Sequence, residues 1–264
     1  MVSWINATRS TYNYYVDELA DHRSDHMLFM SSPWPSILIS IVYIYLVWGL
    51  GPHLMKDRKP FKLDGVISTY NFVQMVLSAY LVERSFSLGW GRKYRMFCEP
   101  VDYSNDPEAI NAVYGSWLYY IIKIMELLDT IFFVLRKKNN QATFLHVYHH
   151  AAQVVSSWIW VRYVPGGHGT FGGSLNCFVH IWMYGYYFIT TTWPEYRQRM
   201  WWKKYLTQLQ MVQFLLVFLH TLPTFFMDCP YPFVLRCFIL YQSTVFFLLF
   251  FNFYRKAYRK KKEA

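Results

Sequence analysis

The sequence predicts an all-α integral membrane protein with seven transmembrane helices. Of its 264 residues, 54% are hydrophobic and only 16% are charged, against about 25% charged residues in an ordinary soluble domain. Aromatic residues reach 21%, and such rings suit a membrane interface, where the body is buried and the polar tip is hydrated. Seven apolar stretches have the length that a helix needs to cross roughly 30 Å of hydrocarbon. We therefore expect a single polytopic domain.

The seven predicted spans occupy the middle of the chain. In order they are Trp34–Met55, Gly65–Val82, Ala112–Leu135, Ala142–Tyr163, Phe171–Thr192, Tyr205–Met227 and Pro232–Tyr254. Residues 1–33 form the N-terminal segment, and residues 255–264 form a basic tail. No apolar stretch with a cleavage site precedes the first span, so we expect no cleaved signal peptide.

The basic residues predict the orientation of the spans. One set of loops, together with the tail, carries 17 Lys and Arg residues, whereas the opposite set carries five. Because cytosolic loops are enriched in Lys and Arg, we expect a cytosolic C-terminus and a luminal N-terminus. The formal net charge of +10 does not indicate a nucleic-acid partner, because the basic residues lie between apolar segments and not on one soluble module.

Two short motifs point to the membrane of the endoplasmic reticulum. Asn6-Ala7-Thr8 is the only N-glycosylation sequon, and it falls on the predicted luminal side. The chain ends Lys261-Lys262-Glu263-Ala264, which resembles the dilysine retrieval signal read on cytosolic tails. A basic tail that touches anionic lipid is the open alternative.

The four cysteines divide by their predicted depth. Cys98 and Cys229 fall in predicted luminal loops, where the compartment permits a disulfide, so we expect one bridge between them, with two free thiols as the open alternative. Cys177 and Cys237 lie within spans, where a buried free thiol is the ordinary state.

Charged side chains appear within the third predicted span. Lys123, Glu126, Asp129 and Thr130 fall within an arc of about 120° of one helix. Charges at membrane depth are costly and usually functional. A structural ion pair between Lys123 and Glu126 is the alternative interpretation.

The following three spans also carry polar faces. The fourth begins with His146, His149 and His150, which cover an arc of about 100°. Three imidazoles beside an acidic helix indicate either metal ligation or acyl-transfer chemistry. The fifth and sixth spans each carry one polar stripe, formed by Asn176, His180, Tyr184 and Tyr187 and by Thr207, Gln210 and Gln213. Because polar faces avoid lipid, the four spans are expected to enclose an interior cavity.

Four motifs occur in a fixed order along these spans. They are Lys-x-x-Glu-x-x-Asp-Thr (123–130), His-x-x-His-His (146–150), Asn-x-x-x-His-x-x-Met-Tyr-x-Tyr-Tyr (176–187) and Thr-x-x-Gln-x-x-Gln (207–213). The ordered set resembles the signatures of the ELO/ELOVL very-long-chain fatty acid elongases. The resemblance implies the condensation of acyl-CoA with malonyl-CoA to 3-oxoacyl-CoA, CO₂ and CoA. It also implies that helices two to seven form a six-helix inverted barrel around an acyl tunnel.

The resemblance assigns roles to individual residues. His149 is the expected nucleophile, because an acyl-imidazole stays reactive toward a carbon nucleophile. His146, His150 and His180 are expected to orient groups, move protons or donate to oxyanions. The remaining expected catalytic residues are Lys123 and Asp129, which would set imidazole protonation, and Asn176, which would donate a neutral hydrogen bond.

The phosphates of CoA are expected to meet basic residues at the cytosolic ends of the spans. The candidates are Arg136, Lys137, Lys138, Lys203, Lys204, Arg255 and Lys256. Ordinary positive-inside topology explains each of them equally well. The expected partners are acyl-CoA, malonyl-CoA as co-substrate, the lipid bilayer, other enzymes of the elongation cycle and a second copy of the chain. We expect no metal and no further cofactor.

Two other functions and one other mechanism remain open from the residues alone. A membrane di-iron desaturase or hydroxylase would use histidine boxes, but this chain has one such cluster where those enzymes have three. A polytopic transporter with a polar core fits the span count better than it fits so many imidazoles. Cys177 lies at the margin of the fifth-span polar stripe and is the rival nucleophile.

Overall fold

The computed structural model describes residues 10–197 and 202–259 of the chain. Within these residues the secondary structure is helical, without any β-strand. The all-α prediction is therefore confirmed. The sequon at Asn6 and the signal at Lys261-Lys262 lie outside the described residues, as do Arg199 and Lys260.

Nine α-helices and several short extensions make up the described structure. The helices are α1 (Trp34–Tyr45), α2 (Gly51–Met55), α3 (Asp64–Ser85), α4 (Pro107–Met125), α5 (Leu127–Leu135), α6 (Phe144–Tyr163), α7 (Thr170–Thr192), α8 (Lys203–Thr221) and α9 (Phe233–Tyr254). A π-helical turn, Leu46–Leu50, joins α1 to α2, and another, Phe86–Trp90, extends α3. A 3₁₀ turn, Leu222–Phe225, follows α8.

Local sequence signals fix several helix ends. Pro107 opens α4 at a position where its missing N–H costs no helical hydrogen bond. Thr143 caps α6, since its Oγ1 accepts a hydrogen bond from the His146 N–H at 3.3 Å. Gly167, just before α7, has φ of 59°, and a Cβ there would lie 2.6 Å from the Pro100 carbonyl oxygen. Only glycine fits that position.

Within the part of the chain that the structure describes, four helical stretches are long and apolar enough to cross a membrane. They are Trp34–Met55, Asp64–Trp90, Lys203–Phe225 and Phe233–Tyr258, and the chain is a membrane protein. The second stretch is longer than the predicted Gly65–Val82. The predicted third, fourth and fifth spans are helical as well, but they carry the charged and polar residues. The count of seven spans therefore stays a prediction.

The predicted third span is not one continuous helix. A turn at Glu126 separates α4 from α5. The Asp129 N–H donates to the Glu126 carbonyl oxygen, three residues back, at 3.2 Å. The prediction of a single helix over Ala112–Leu135 is corrected in this respect.

Helix contacts run in a closed order. The helix α3 contacts α7, α7 contacts α8, α8 contacts α9, α9 contacts α6, α6 contacts α4, and α4 contacts α3. The helix α1 packs on α6 outside this order. Apolar side chains such as Leu38 and Leu248 are exposed on the outside, whereas Lys123 and Glu126 are buried inside. This arrangement suits a lipid environment, which cannot solvate polar groups.

Covalent and polar links join the loops at one end of the bundle. A disulfide between Cys98 and Cys229 connects the loop after α3 to the loop after α8, with the Cα atoms 5.6 Å apart. The predicted pairing is confirmed. In the chain-entropy model, a bridge that closes a loop of this size contributes about 4–5 kcal/mol to stability. At the same end, buried Arg162 on α6 donates to the Val16 carbonyl oxygen at 2.9 Å and to Asp25.

Candidate active site

The centre of the site is a buried ion pair beside the turn between α4 and α5. Lys123 Nζ donates to Glu126 Oε1 at 2.7 Å, and both side chains are at most 1% exposed. The ion pair that the sequence left as an alternative is therefore present. Lys123 Nζ also donates to Asn176 Oδ1 on α7 at 2.7 Å. This second contact ties the two helices together in the interior of the bundle.

The hydrogen bonds of Asn176 define the protonation of His180. Asn176 Oδ1 accepts hydrogen bonds from Lys123 and from the Tyr119 hydroxyl at 3.1 Å, so Nδ2 is its donor. Asn176 Nδ2 lies 3.3 Å from His180 Nε2, which is therefore the acceptor of a neutral imidazole. The proton is then on His180 Nδ1, and that atom lies 2.9 Å from Glu126 Oε1. Three hydrogen bonds and this close contact between His180 and Glu126 arrange the four side chains as one polar ring.

Glu126 also faces the histidines of α6. Its Oε2 lies 4.0 Å from His150 Nδ1. The ring centroids of His146 and His150 are 4.3 Å apart, and those of His149 and His150 are 5.3 Å apart. The structure therefore brings the four predicted histidines into one cluster, in which His150 and His180 face the Glu126 carboxylate.

His149 has different neighbours from the other two α6 histidines. Its ring lies edge-on to Phe246 and Phe250 of α9, with centroids 4.9 Å and 5.8 Å away. His146 instead lies against Phe133, at 5.3 Å. Phe246 also lines the cavity described below, so His149 is the α6 imidazole on the cavity side of the cluster.

Asp129 and Thr130 lie beside the polar ring and not in it. Asp129 Oδ2 accepts a hydrogen bond from the Tyr184 hydroxyl at 2.7 Å. The Tyr184 ring lies edge-on to His180, with centroids 5.5 Å apart. Thr130 hydrogen-bonds to Tyr43 at 2.7 Å. Asp129 thus reaches the imidazoles through Tyr184.

The predicted stripes on α7 and α8 are buried over most of their length. Asn176, His180 and Tyr184 are buried, whereas Tyr187 at the stripe's end is 39% exposed. On α8, Thr207 and Gln213 are buried, and Gln210 contacts the Met183 sulfur at 3.5 Å. Among residues 10–197 and 202–259, no three His, Cys, Asp or Glu side chains are placed to share a metal ion.

The structure adds a polar face that the sequence analysis did not identify. Tyr70, Asn71, Gln74 and Ser78 are all buried on α3. Gln74 Nε2 donates to the Tyr70 hydroxyl at 3.1 Å, and that hydroxyl donates to the Met125 carbonyl oxygen at 3.2 Å. Their spacing of three and four residues is the helical signal that could have revealed this face.

A cavity of about 180 Å³ extends from the polar ring toward the disulfide-linked end of the bundle. Asn176 and Cys177 line it near the ring, and Tyr94, His168 and His220 line it at the far end. The His168 ring stacks on His220 with centroids 4.3 Å apart. Burial lowers the pKa of His168 to about 3, so this imidazole is neutral at neutral pH.

The predicted CoA-binding cations lie at the opposite helix ends. Arg136 pairs with Asp64 at 2.8 Å, and Lys137 donates to the Lys56 carbonyl oxygen at 2.9 Å. Lys138 is half-buried in the same loop. The candidate cations that follow α7 in the chain are exposed, namely Lys203, Lys204, Arg255 and Lys256. Their role toward CoA stays a prediction.

Comparison with known proteins identifies the class to which this helical membrane protein belongs. Residues 28–264 match the model of the ELO family, described as the GNS1/SUR4 family. The chain therefore belongs to the ELO family.

Named relatives cover nearly the whole chain. Very long chain fatty acid elongase 7 of Drosophila melanogaster is 47% identical over 93% of this chain and 75% of its own length. Very long chain fatty acid elongase 7 of Rattus norvegicus is 44% identical over 98% of this chain and 94% of its own. Very long chain fatty acid elongase 4 of Homo sapiens is 40% identical over 93% of this chain and 78% of its own length. The resemblance drawn from the four motifs is confirmed.

Proposed function

We propose that this protein is the condensing enzyme of fatty acid elongation in the endoplasmic reticulum membrane. It joins a long-chain acyl-CoA to malonyl-CoA and releases 3-oxoacyl-CoA, CO₂ and CoA. The observation that carries the proposal is the buried ring of Lys123, Glu126, Asn176 and His180 beside three imidazoles at one end of a cavity. The named elongases among its relatives support the same reaction.

In the first half-reaction, His149 attacks the carbonyl carbon of the acyl thioester. A carbon–nitrogen bond forms and the carbon–sulfur bond breaks, and the departing CoA thiolate takes up the proton that the His149 ring loses as the neutral acyl-imidazole forms. Two nearby ring nitrogens, His146 Nε2 and His150 Nδ1, are buried without a hydrogen-bond partner in the protein. A buried unsatisfied polar atom calls for a function. Here these nitrogens serve the oxyanion and the proton movements of the acyl transfer.

In the second half-reaction, malonyl-CoA loses CO₂ and its enolate attacks the acyl-imidazole. The new carbon–carbon bond forms as the carbon–nitrogen bond breaks, and the released His149 ring takes up one proton, delivered from solvent after product formation, to regenerate the neutral imidazole. Exclusion of water protects the acyl-imidazole from hydrolysis. The burial of His149, His150 and His180 supports such exclusion.

The two ends of the bundle serve different parts of the substrate. The cavity takes the acyl tail, and its far wall of Tyr94, His168 and His220 lies at the luminal side. The CoA phosphates stay at the cytosolic ends of the helices, near Arg136. Arg136 lies ten residues after Glu126, which corresponds to about 15 Å along a helix. The closed order of helix contacts supports an inverted barrel of α3, α4–α5, α6, α7, α8 and α9 around this tunnel.

The 3-oxo product sets the partners that this reaction needs. Its ketone must be reduced and the resulting hydroxyl removed before another cycle can begin. We therefore place the enzyme next to a ketone reductase and a dehydratase in the same membrane.

The test is reconstitution of the purified protein in liposomes with a chain-length series of acyl-CoAs and labelled malonyl-CoA. Labelled 3-oxoacyl-CoA should form only when both substrates are present, with one CO₂ released per product. Transfer of substrate across the membrane without product would identify a transporter instead. A desaturated or hydroxylated product that requires iron would identify an oxygenase.

A further inference from the structure

The Glu126 carboxylate is held by a helix interruption, and that interruption has a partner on a neighbouring helix. The backbone turns at Glu126 between α4 and α5. Interruptions of this kind arise where a side chain enters the backbone hydrogen-bond pattern. Here the Tyr70 hydroxyl of α3 donates to the carbonyl oxygen of Met125, the residue just before the turn, at 3.2 Å.

Tyr70 is itself fixed from three sides. Gln74 Nε2 donates to the Tyr70 hydroxyl at 3.1 Å, and Gln74 is fully buried. The Tyr70 ring packs edge-on against Phe132 of α5 and Tyr184 of α7, with centroids 5.3 Å and 6.0 Å away. A side chain held in this way has little freedom to release the backbone that it contacts.

The consequence of the turn is the direction of the Glu126 side chain. Glu126 must reach Lys123 on its own helix, His150 on α6 and His180 on α7 at the same time. Side chains placed for catalysis lose activity when they move by about 1 Å. The hydroxyl of Tyr70 holds the peptide that determines this placement.

We propose that Tyr70 is a positioning residue of the reaction, which acts through the Met125 carbonyl to hold Glu126 against the histidines. The inference rests on the proposed condensation. Gln74 supports Tyr70 in the same role. No substrate contact is required of either side chain.

The test compares Tyr70→Phe with Tyr120→Phe. The first substitution keeps the ring and its aromatic contacts but removes the hydroxyl. The second removes the hydroxyl of another buried tyrosine, on α4, which hydrogen-bonds to Ser36 at 2.7 Å and does not contact the turn. For Tyr70→Phe, kcat should fall about 10- to 100-fold while the KM for either CoA substrate changes little. Tyr120→Phe should keep the wild-type kcat.

Hydrogen exchange of the peptide 123–130 supplies a readout that does not depend on activity. Its amides should exchange faster in Tyr70→Phe than in Tyr120→Phe or the wild type. Unchanged exchange would overturn the inference, and so would faster exchange with a wild-type kcat. If Tyr70→Phe fails to fold, Gln74→Met should show a smaller fall in kcat and a smaller rise in the exchange rate of this peptide. Wild-type values of both quantities in Gln74→Met would also refute the inference. If the wild-type protein itself makes no 3-oxoacyl-CoA, the proposed function fails. Hydrogen exchange of the peptide 123–130 then still tests whether the Tyr70 hydroxyl holds the turn.

Discussion

His180 Nδ1 on α7 lies 2.9 Å from Glu126 Oε1, the same oxygen that accepts the Lys123 ammonium at 2.7 Å. One carboxylate oxygen thus serves a cation on its own helix and an imidazole on another. Because His180 Nε2 faces the Asn176 amide, the two ring nitrogens of His180 have fixed and different roles.

Glu126→Gln should destabilise the protein more than an ordinary polar substitution. It leaves the Lys123 ammonium buried without a counter-charge, which typically costs about 3–5 kcal/mol. The combination Lys123→Met with Glu126→Gln should cost less than the sum of the two single changes. Thermal unfolding in detergent measures this difference. Additive losses would show that the two side chains do not act as a pair.

His149→Ala should abolish both turnover and the covalent intermediate. Acyl-CoA alone should release one equivalent of CoA from the wild-type protein and leave an acyl adduct visible by intact-protein mass spectrometry. The variant should lose the adduct, with at least about a 10³-fold fall in kcat. His150→Ala should keep some adduct, since a supporting imidazole is not acylated, and His146→Ala should fall between the two.

Cys177→Ala is the matched control for the nucleophile. Cys177 lines the cavity and packs with Leu81 and Ile122, so the variant should stay active and form the adduct. Release of CoA only when malonyl-CoA is present, with no acylated protein, would instead indicate a ternary complex in which His149 is a base or an oxyanion donor.

Gly115→Phe should restrict the enzyme to shorter acyl chains. Gly115 lines the cavity, and a Cβ there would have no atom within 4 Å. It lies eight residues, or about 12 Å, from Lys123 along α4. A bulky ring at that depth occupies space needed by long acyl tails, so kcat/KM for the longest substrates should fall about tenfold or more. Short substrates should react normally.

The control for this change is Gly65→Phe. Gly65 at the start of α3 also has open space around its Cβ position but does not line the cavity. Its chain-length profile should match that of the wild type. An unchanged profile for Gly115→Phe would show that the acyl tail does not occupy this cavity.

Protease treatment of sealed microsomes should cut a tag on the C-terminus and spare a tag on the N-terminus. The reason is the excess of Lys and Arg on one side of the spans. The same orientation places the Cys98–Cys229 bridge in the oxidising lumen. Protection of the C-terminal tag would reverse the orientation and leave the bridge on the reducing side.

The sequence predicted the residues of the site better than their contacts. The four histidines and Lys123 stand out because ionisable groups are rare at membrane depth. The resemblance assigned no catalytic role to Glu126, yet its side chain contacts Lys123 and lies beside His150 and His180. Which carboxylate occupies the centre depends on the turn between α4 and α5, and that turn depends on packing against another helix.

The contribution of α3 was missed for a related reason. Tyr70 and Gln74 are neutral, and a neutral polar residue in a mixed span predicts little by itself. Their importance follows from contact with the Met125 carbonyl and with each other. Such tertiary contacts are not encoded in a local pattern. The disulfide was predictable because only two cysteines fall in luminal loops.

The bond between Lys123 and Asn176 spans 53 residues of chain, and this has a consequence for synthesis. The ribosome delivers the polar segment of α4 and α5 to the bilayer before α7 exists. Each charge at the bilayer centre costs about 2.5–3.5 kcal/mol on insertion scales. The Lys123–Glu126 pair can offset part of this cost at first, whereas Asn176 and His180 arrive later. A chain truncated before α7 should therefore insert into the bilayer slowly and be degraded faster than the full-length protein.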